Sequence, residues 1–171
     1  MKKFAMLVAA VMTTATLSAQ TSTKKDVLET ARSANNYFMA KYADPTVPTN
    51  VKRIRPSSLW TRAVYYEGLM ALNTIDPQKR YIDYTDRWAS FHKWTPRNGT
   101  KTRDADDQCC SQTYLERFMM TGDSTMLFPT RENLRGQMAE TKIGYWTWID
   151  AIQMAMPVYA QMYKITGDRA Y

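Results

Sequence analysis

The pattern of apolar and polar positions along the chain predicts helices. In residues 24–42 apolar side chains recur at the spacing of an amphipathic helix, at Val27, Leu28, Ala31, Ala34, Tyr37, Phe38 and Tyr42. Further helices are predicted over residues 59–73, 81–94, 108–120 and 149–165. No stretch has a convincing strand pattern. The sequence therefore predicts an all-α protein.

A long loop interrupts this pattern between the first two predicted helices. Residues 43–58 read ADPTVPTNVKRIRPSS and include Pro45, Pro48 and Pro56, which cannot continue a helix. Long loops inside compact domains are often functional.

Two joints between predicted helices repeat the same sequence pattern. LERFMMTGDSTML at 115–127 and YAQMYKITGDRAY at 159–171 each have a hydrophobic helix end followed by Thr-Gly-Asp. Gly122 and Gly167 are 45 positions apart, and a looser copy at 71–81 places Asp76 47 positions before Asp123. Glycine can end a helix in the left-handed conformation, and the aspartate can cap the next segment. The repeat unit is therefore a helical hairpin, and its period fits HEAT-like arrays or α/α toroids rather than tetratricopeptide repeats of about 34 residues.

The first residues have the features of a secretory leader. Lys2 and Lys3 precede the apolar run FAMLVAAVM and the small residues near LSAQ. We expect a signal peptide over residues 1–20 and a periplasmic or secreted protein, 21–171, that is not inserted in the membrane after cleavage. Because a new segment starts at Gly167-Asp168 and the sequence stops at Tyr171, we also expect an incomplete closed structure, truncated at the C-terminus.

Composition and charge narrow the class of function. The chain is 44% hydrophobic and 23% charged, as in globular proteins. Removing Lys2 and Lys3 lowers the formal charge from +7 to +5, and the remaining basic residues are scattered apart from VKRIRP at 51–56. This balance fits an anionic substrate and does not require nucleic acid. The only cysteines, Cys109 and Cys110, are adjacent, and with His92 the sole histidine no metal-ligand spacing exists. Buried free thiols are expected.

Asp150 stands in the unusually apolar stretch YWTWIDAIQMAMPV at 145–158. It could be the N-cap of the last helix, with Gln153 completing a capping box. It could also be an acid in an aromatic pocket, where desolvation would raise its pKa enough to deliver a proton near neutral pH. A helix N-terminus at a cavity mouth would satisfy both interpretations.

A second acidic cluster, Asp104, Asp106 and Asp107, lies in RDADDQCCSQTYLE at 103–116. Capping and the helix dipole favour acids at this position, but three exceed what capping needs. A pair of carboxylates brought together from separate hairpins would suit acid/base chemistry on a glycoside.

Five tryptophans could stack on sugar rings or pack in the core: Trp60, Trp88, Trp94, Trp146 and Trp148. Packing is the more frequent role for any one of them in a helical protein. Trp146 and Trp148 are the strongest candidates for sugar stacking because they adjoin Asp150.

Two motifs in order, DADDQCCSQTYLERF and WTWIDAIQMAMPVYAQMYKITGDRAY, make residues 60–171 resemble the unsaturated rhamnogalacturonyl hydrolases of glycoside hydrolase family 105. The resemblance implies an (α/α)6 barrel, of which this chain is about half. It also implies cleavage of a 4,5-unsaturated galacturonic acid from the end of a rhamnogalacturonan fragment. In such enzymes an aspartic acid protonates the C4=C5 bond and water adds at C5, after which the hemiketal opens. No metal or organic cofactor is implied.

The resemblance also assigns roles to residues. Asp150 matches the general acid/base, and Asp106 or Asp107 matches the second acid, with Asp107 preferred because it is nearer the helix. Candidate substrate-binding residues are Trp146, Trp148, Trp60 and Gln112. This chain departs from the family's pattern at Thr147, Ile149, Gln153 and Met156, which bears on substrate specificity. Two alternatives are an unsaturated glucuronyl hydrolase acting on glycosaminoglycan fragments and a non-catalytic helical-repeat protein that binds glycans.

Overall fold

Helices connected by turns and loops make up most of the computed structural model, which describes residues 22–142 and 144–171. The described helices are α1 (Lys24–Lys41), α2 (Trp60–Ile75), α3 (Lys79–Phe91), α4 (Ala105–Gln108), α5 (Ser111–Thr121), α6 (Phe128–Met138), α7 (Ala151–Met154) and α8 (Met156–Thr166), with a 3-10 helix at Ser124–Met126. None of them is long and apolar enough to cross a membrane. The predicted signal peptide, residues 1–20, lies outside the described residues.

The all-α class is confirmed, with local corrections. A small antiparallel hairpin, β1 (Thr49–Val51) and β2 (Arg53–Arg55), turns at Lys52 inside the long loop. Strands of three residues are too short to produce a period, so the sequence pattern missed them. Helix α6 was also missed, because its sequence FPTRENLRGQM is mostly polar and has a weak apolar stripe.

Two predicted helices are each broken into a short and a long piece. Residues 105–121 form α4 and α5 around Cys109 and Cys110, and residues 151–166 form α7 and α8 around Ala155. The second break follows from Pro157, which has no N–H to donate to the Gln153 carbonyl one turn earlier. Gln112 Nε2 donates instead to the carbonyl oxygens of Gln153, at 2.8 Å, and Met154, at 3.2 Å. A side chain from α5 therefore replaces the missing helical hydrogen bond.

Helices α2, α5 and α8 form one packed layer, in which α5 contacts both of the others. The Tyr66 ring of α2 stacks on Trp88 of α3, with ring centroids 3.7 Å apart, and Tyr114 of α5 lies against the same tryptophan. A second buried cluster joins α5, α6 and α8 through Leu115, Leu134, Val158 and Met162. Cys109 and Cys110 are buried free thiols, as expected.

The two Thr-Gly-Asp joints have the same geometry. Gly122 and Gly167 end α5 and α8 in the left-handed conformation, with φ of 73° and 70°. Asp123 N donates to the Thr121 hydroxyl and Asp168 N to the Thr166 hydroxyl, each at 3.2 Å. Each aspartate then accepts a hydrogen bond from the backbone N–H two residues later. The repeated sequence thus produces a repeated turn at one end of the α2–α5–α8 layer.

Candidate active site

An open pocket of about 310 Å³ lies at the opposite end of the layer, where α2, α4 and α7 begin. Its described lining residues are Trp60, Asp104, Ala105, Asp106, Tyr145, Trp146, Thr147, Trp148, Asp150 and Ala151. The pocket thus combines side chains from the starts of α2 and α4 and from the segment that leads into α7.

Asp150 stands directly before α7 and faces this pocket. Its backbone is already helical, with φ −64° and ψ −22°, and its side chain makes no capping hydrogen bond. The predicted capping box is wrong, because the Gln153 side chain donates instead to Glu67 Oε2 at 2.7 Å. Asp150 is exposed, and its neighbours Trp148 and Ile149 are 80% and 82% exposed, so the described residues leave its carboxylate open to solvent.

The three acids of the second cluster occupy three different environments. Asp104 caps α4, its carboxylate accepting from Asp106 N at 3.0 Å. Asp107 is only 2% exposed and accepts hydrogen bonds from Arg97, from Asn98 Nδ2 at 3.0 Å and from Thr102 Oγ1 at 2.6 Å. Asp106 is half-buried and lines the pocket. Capping therefore explains Asp104 alone.

The pocket raises the proton affinity of Asp106. Partial burial raises the pKa of this carboxyl above its ordinary value, and the nearby carboxylates of Asp104, Asp150 and Asp107 raise it further, with Arg97 opposing. The described lining residues include no lysine or arginine that would stabilise the ionised form. A carboxyl with a raised pKa beside a second carboxylate can take part in proton transfer.

The five tryptophans divide between pocket and core. Trp88 and Trp94 are buried in the main cluster, away from the pocket. Trp60 and Trp146 line the pocket and also pack on that cluster, and the Trp146 ring meets Tyr159 edge-on with centroids 5.8 Å apart. Trp148 lies on the rim and is mostly exposed. Trp148 is therefore the tryptophan whose ring is most available to a ligand.

The structure brings together five of the seven predicted site residues: Asp106, Asp150, Trp60, Trp146 and Trp148. Asp107 and Gln112 are not among the lining residues, since Asp107 is held by Arg97 and Gln112 is bonded to the backbone of α7. Tyr145 and Thr147 also line the pocket and were not selected from the sequence, although they belong to the same aromatic run.

The described residues contain no group of three or more His, Cys, Asp or Glu side chains placed to hold a metal ion. What the pocket does offer is three carboxylates beside aromatic side chains: Asp104, which caps α4, Asp106 within α4, and Asp150 directly before α7. That arrangement is suited to binding a sugar and exchanging a proton with it.

The helical hairpins and the pocket at one end of their layer define an incomplete α/α toroid. The chain belongs to glycoside hydrolase family 88, whose family model, Glycosyl Hydrolase Family 88, matches residues 30–171. The match does not establish the finer assignment to family 105, which stays a prediction.

Two solved structures are similar to this chain. One is a glycosyl hydrolase family 88 protein from Bacteroides vulgatus, with 29% identity and a TM-score of 0.76. The other is described as a polysaccharide lyase, with 24% identity and a TM-score of 0.75, and its likeness shows the fold alone. Each alignment covers 88% of this chain and 44% of the other, so the chain spans less than half the length of these proteins. No curated protein matches.

Proposed function

We propose that this chain forms part of a hydrolase that removes a 4,5-unsaturated galacturonic acid from the non-reducing end of rhamnogalacturonan oligosaccharides. The observation that supports this most directly is the pair Asp106 and Asp150, from separate hairpins, in one pocket with Trp146 and Trp148. Membership of family 88 and the motif resemblance favour the same chemistry.

In the proposed reaction Asp150 donates a proton to C4 of the C4=C5 double bond. Water then adds at C5 and returns a proton to the same carboxylate. The hemiketal at C5 opens, and the bond to the neighbouring sugar is released as the C1 end becomes an aldehyde. The reaction consumes one water, leaves Asp150 protonated again and requires no cofactor.

Asp106 serves as the second acid in this proposal, in preference to Asp107. It lines the pocket, and its raised pKa favours the protonated form of its carboxyl. Asp107 is fully engaged by Arg97, Asn98 and Thr102, so its carboxylate has no free face for a substrate. We assign Asp107 to holding the loop that carries these three donors.

The aromatic side chains support a sugar as the class of substrate. Trp148 offers an exposed ring at the rim, and Trp146 and Trp60 form the wall, so a sugar can stack without a large rearrangement. The ligand is an anionic oligosaccharide, and the leader over residues 1–20 would place the protein in the periplasm or outside the cell, where such fragments are encountered.

A second candidate is an unsaturated glucuronyl hydrolase that acts on glycosaminoglycan fragments. The match to family 88 supports it equally, since that family model covers hydrolases of both unsaturated glucuronyl and rhamnogalacturonyl type. The two candidates share the double-bond chemistry and differ in the neighbouring sugar, so they predict the same acids and different substrate preferences.

The test follows the ultraviolet absorbance of the conjugated double bond in the unsaturated disaccharides of both classes. Absorbance should fall with the parent protein and persist with Asp150→Asn. Asp106→Asn should slow the loss, whereas Asp123→Asn, whose carboxylate caps the 3-10 helix at the opposite end of the layer, serves as the matched control. A faster reaction with the glycosaminoglycan disaccharide would select the second candidate. Binding of either disaccharide without any loss of absorbance would indicate a glycan-binding protein and contradict both.

A further inference from the structure

Glu67 lies outside the pocket lining, yet it connects the segments that carry both pocket acids. Its Oε1 accepts a hydrogen bond from Cys109 Sγ at 3.2 Å, and its Oε2 accepts one from Gln153 Nε2 at 2.7 Å. Cys109 directly follows α4, which carries Asp106, and Gln153 belongs to α7, which begins directly after Asp150. The geometry points to Glu67 as a positioning residue that fixes where Asp150 stands relative to Asp106.

The position of Asp150 depends on α7 because its own carboxylate has no hydrogen-bond partner among residues 22–142 and 144–171. Helix α7 has four residues and is separated from α8 at Ala155. A single helical turn is not stable by itself. Its orientation must therefore come from contacts with the rest of the protein.

Three kinds of contact hold α7. Ala151, Met154 and Ala155 pack in the main core cluster. Gln112 bonds the carbonyls at the end of the turn, as described above. The bond from Gln153 to Glu67 is the described side-chain hydrogen bond that joins α7 to α2, and it opposes rotation of the turn about its axis. Of the three packed residues, Ala151 and Ala155 have small side chains, which resist such a rotation poorly.

The chemistry of Glu67, Cys109 and Gln153 determines which group donates and which accepts in each hydrogen bond. Cys109 is fully buried, and burial together with the neighbouring Glu67 raises the pKa of its thiol, so it remains an S–H donor. Burial raises the pKa of Glu67, while the bonds from Cys109 and Gln153 lower it. A half-buried carboxylate with one donor on each oxygen has a defined orientation, and loss of the buried Cys109 donor leaves a poorly solvated oxygen. Glu67 thus connects α2, α4 and α7 through one rigid group.

The predicted effect on the reaction rate rests on the proposed function, whereas the predicted effect on the position of Asp150 does not. We test the link in the full chain with Gln153→Leu, Glu67→Leu and the double variant. Each single variant should lower kcat by roughly 10- to 100-fold, as expected when a reacting group is misplaced by about 1 Å, with KM changed less than about threefold. The double variant should be no slower than the slower single, because both remove the same link.

Two further variants separate positioning from general damage. The exchange Glu67→Gln with Gln153→Glu restores a donor opposite a carboxylate and should recover kcat to within about fivefold of the parent. Glu132→Leu removes an exposed carboxylate on α6 that accepts a hydrogen bond from Thr100 and has no bond to α7, and should leave kcat unchanged. Circular dichroism melting of every variant identifies any that fails to fold. Gln153 is exposed, so Gln153→Leu should remain folded.

A carboxyl titration of Asp106 by NMR supplies the readout that needs no activity. Gln153→Leu changes no charge, so a fall in the pKa of Asp106 would report a rearrangement of the pocket around it, where burial and then the carboxylates of Asp104 and Asp150 raise this pKa. An unchanged pKa of Asp106 in folded Gln153→Leu overturns the inference, and so does a failure of the exchange variant to recover activity. If the parent processes neither disaccharide, the proposed function fails while the titration still decides the positioning role.

Discussion

Asp106 and Asp107 are adjacent in sequence, yet their carboxylates lie in opposite environments. Successive residues of a helical turn differ in direction by about 100°. Asp106 consequently lines the open pocket, whereas Asp107 faces the preceding loop and is bonded to Arg97, Asn98 and Thr102. One of the pair is available for chemistry, and the other stabilises the loop beside it.

Replacing these two acids should separate stability from activity. Asp107→Asn leaves the partly buried Arg97 guanidinium without its carboxylate and should lower the free energy of unfolding by about 3 kcal/mol. Asp106→Asn should change it by less than about 0.5 kcal/mol, because this side chain makes no ion pair in the described structure. Urea unfolding of both variants at neutral pH measures the difference. Equal losses would contradict the division of roles.

Glu116 should make the protein less stable as pH rises. Burial raises its pKa from 4.5 to about 7, with repulsion from Glu67 as a further cause. Between these values the unfolded carboxyl is ionised while the folded one still holds its proton, so stability falls as pH increases from about 4.5 to about 7. Glu116→Gln should match the parent at pH 4. At pH 8 it should be more stable by on the order of 1 kcal/mol, allowing for partial exposure. Urea midpoints between these pH values measure the effect, and a difference that is constant with pH would refute it.

Two glycine-to-alanine variants should have opposite effects on stability. Gly122 ends α5 with φ 73°, and a Cβ there would meet no atom within 4 Å, so Gly122→Ala tests backbone strain alone. It should cost about 1 kcal/mol. Gly68 lies inside α2 with equally open space, so Gly68→Ala should stabilise by roughly 0.5 to 1 kcal/mol. Thermal melting of both variants measures the pair, and a destabilising Gly68→Ala would show that α2 needs the glycine for another reason.

Trp146 and Trp148 should differ in what their removal changes. Trp146 is half-buried and packs on the core, so Trp146→Ala should lower the free energy of unfolding by about 2 kcal/mol. Trp148 is 80% exposed, and Trp148→Ala should leave stability within about 0.5 kcal/mol of the parent. If Trp148 stacks on the sugar, the same variant should weaken binding about fivefold, which corresponds to roughly 1 kcal/mol. Calorimetric titration of an unsaturated disaccharide into proteins that also carry Asp150→Asn measures affinity without turnover.

Much of the fold was predictable because it rests on local chemistry. The apolar spacing located α1, α2 and α3 to within a few residues, and the Thr-Gly-Asp repeat predicted the left-handed turns at Gly122 and Gly167. Helix α6 was missed because it buries polar side chains, among them Thr130, Asn133 and Gln137, and has little apolar periodicity. Asn133 donates to the carbonyls of Thr100 and Thr102 in a distant loop, a partnership that no local pattern contains.

The residue types of the candidate site could be predicted from the sequence, whereas the directions of their side chains could be predicted less well. Aromatic residues around Asp150 indicated a pocket, and the structure places Trp146 and Trp148 in one. The choice between Asp106 and Asp107 depends on how α4 is rotated, which Arg97 and the loop after it determine. Glu67 could not have been selected, because its importance lies in contacts with residues 42 and 86 positions away.

The two ends of the α2–α5–α8 layer have connections of very different length. At the turn end, only residues 76–78 separate α2 from α3, and residues 122–127 join α5 to α6. At the pocket end the connections are longer: residues 42–59, which contain the β1–β2 hairpin, residues 92–104, and the described residues 139–142 and 144–150. Insertions at the pocket end can therefore reshape the pocket while the short turns keep the hairpins in register. Changes in what the pocket can bind should arise in these three segments, with the turns changing little.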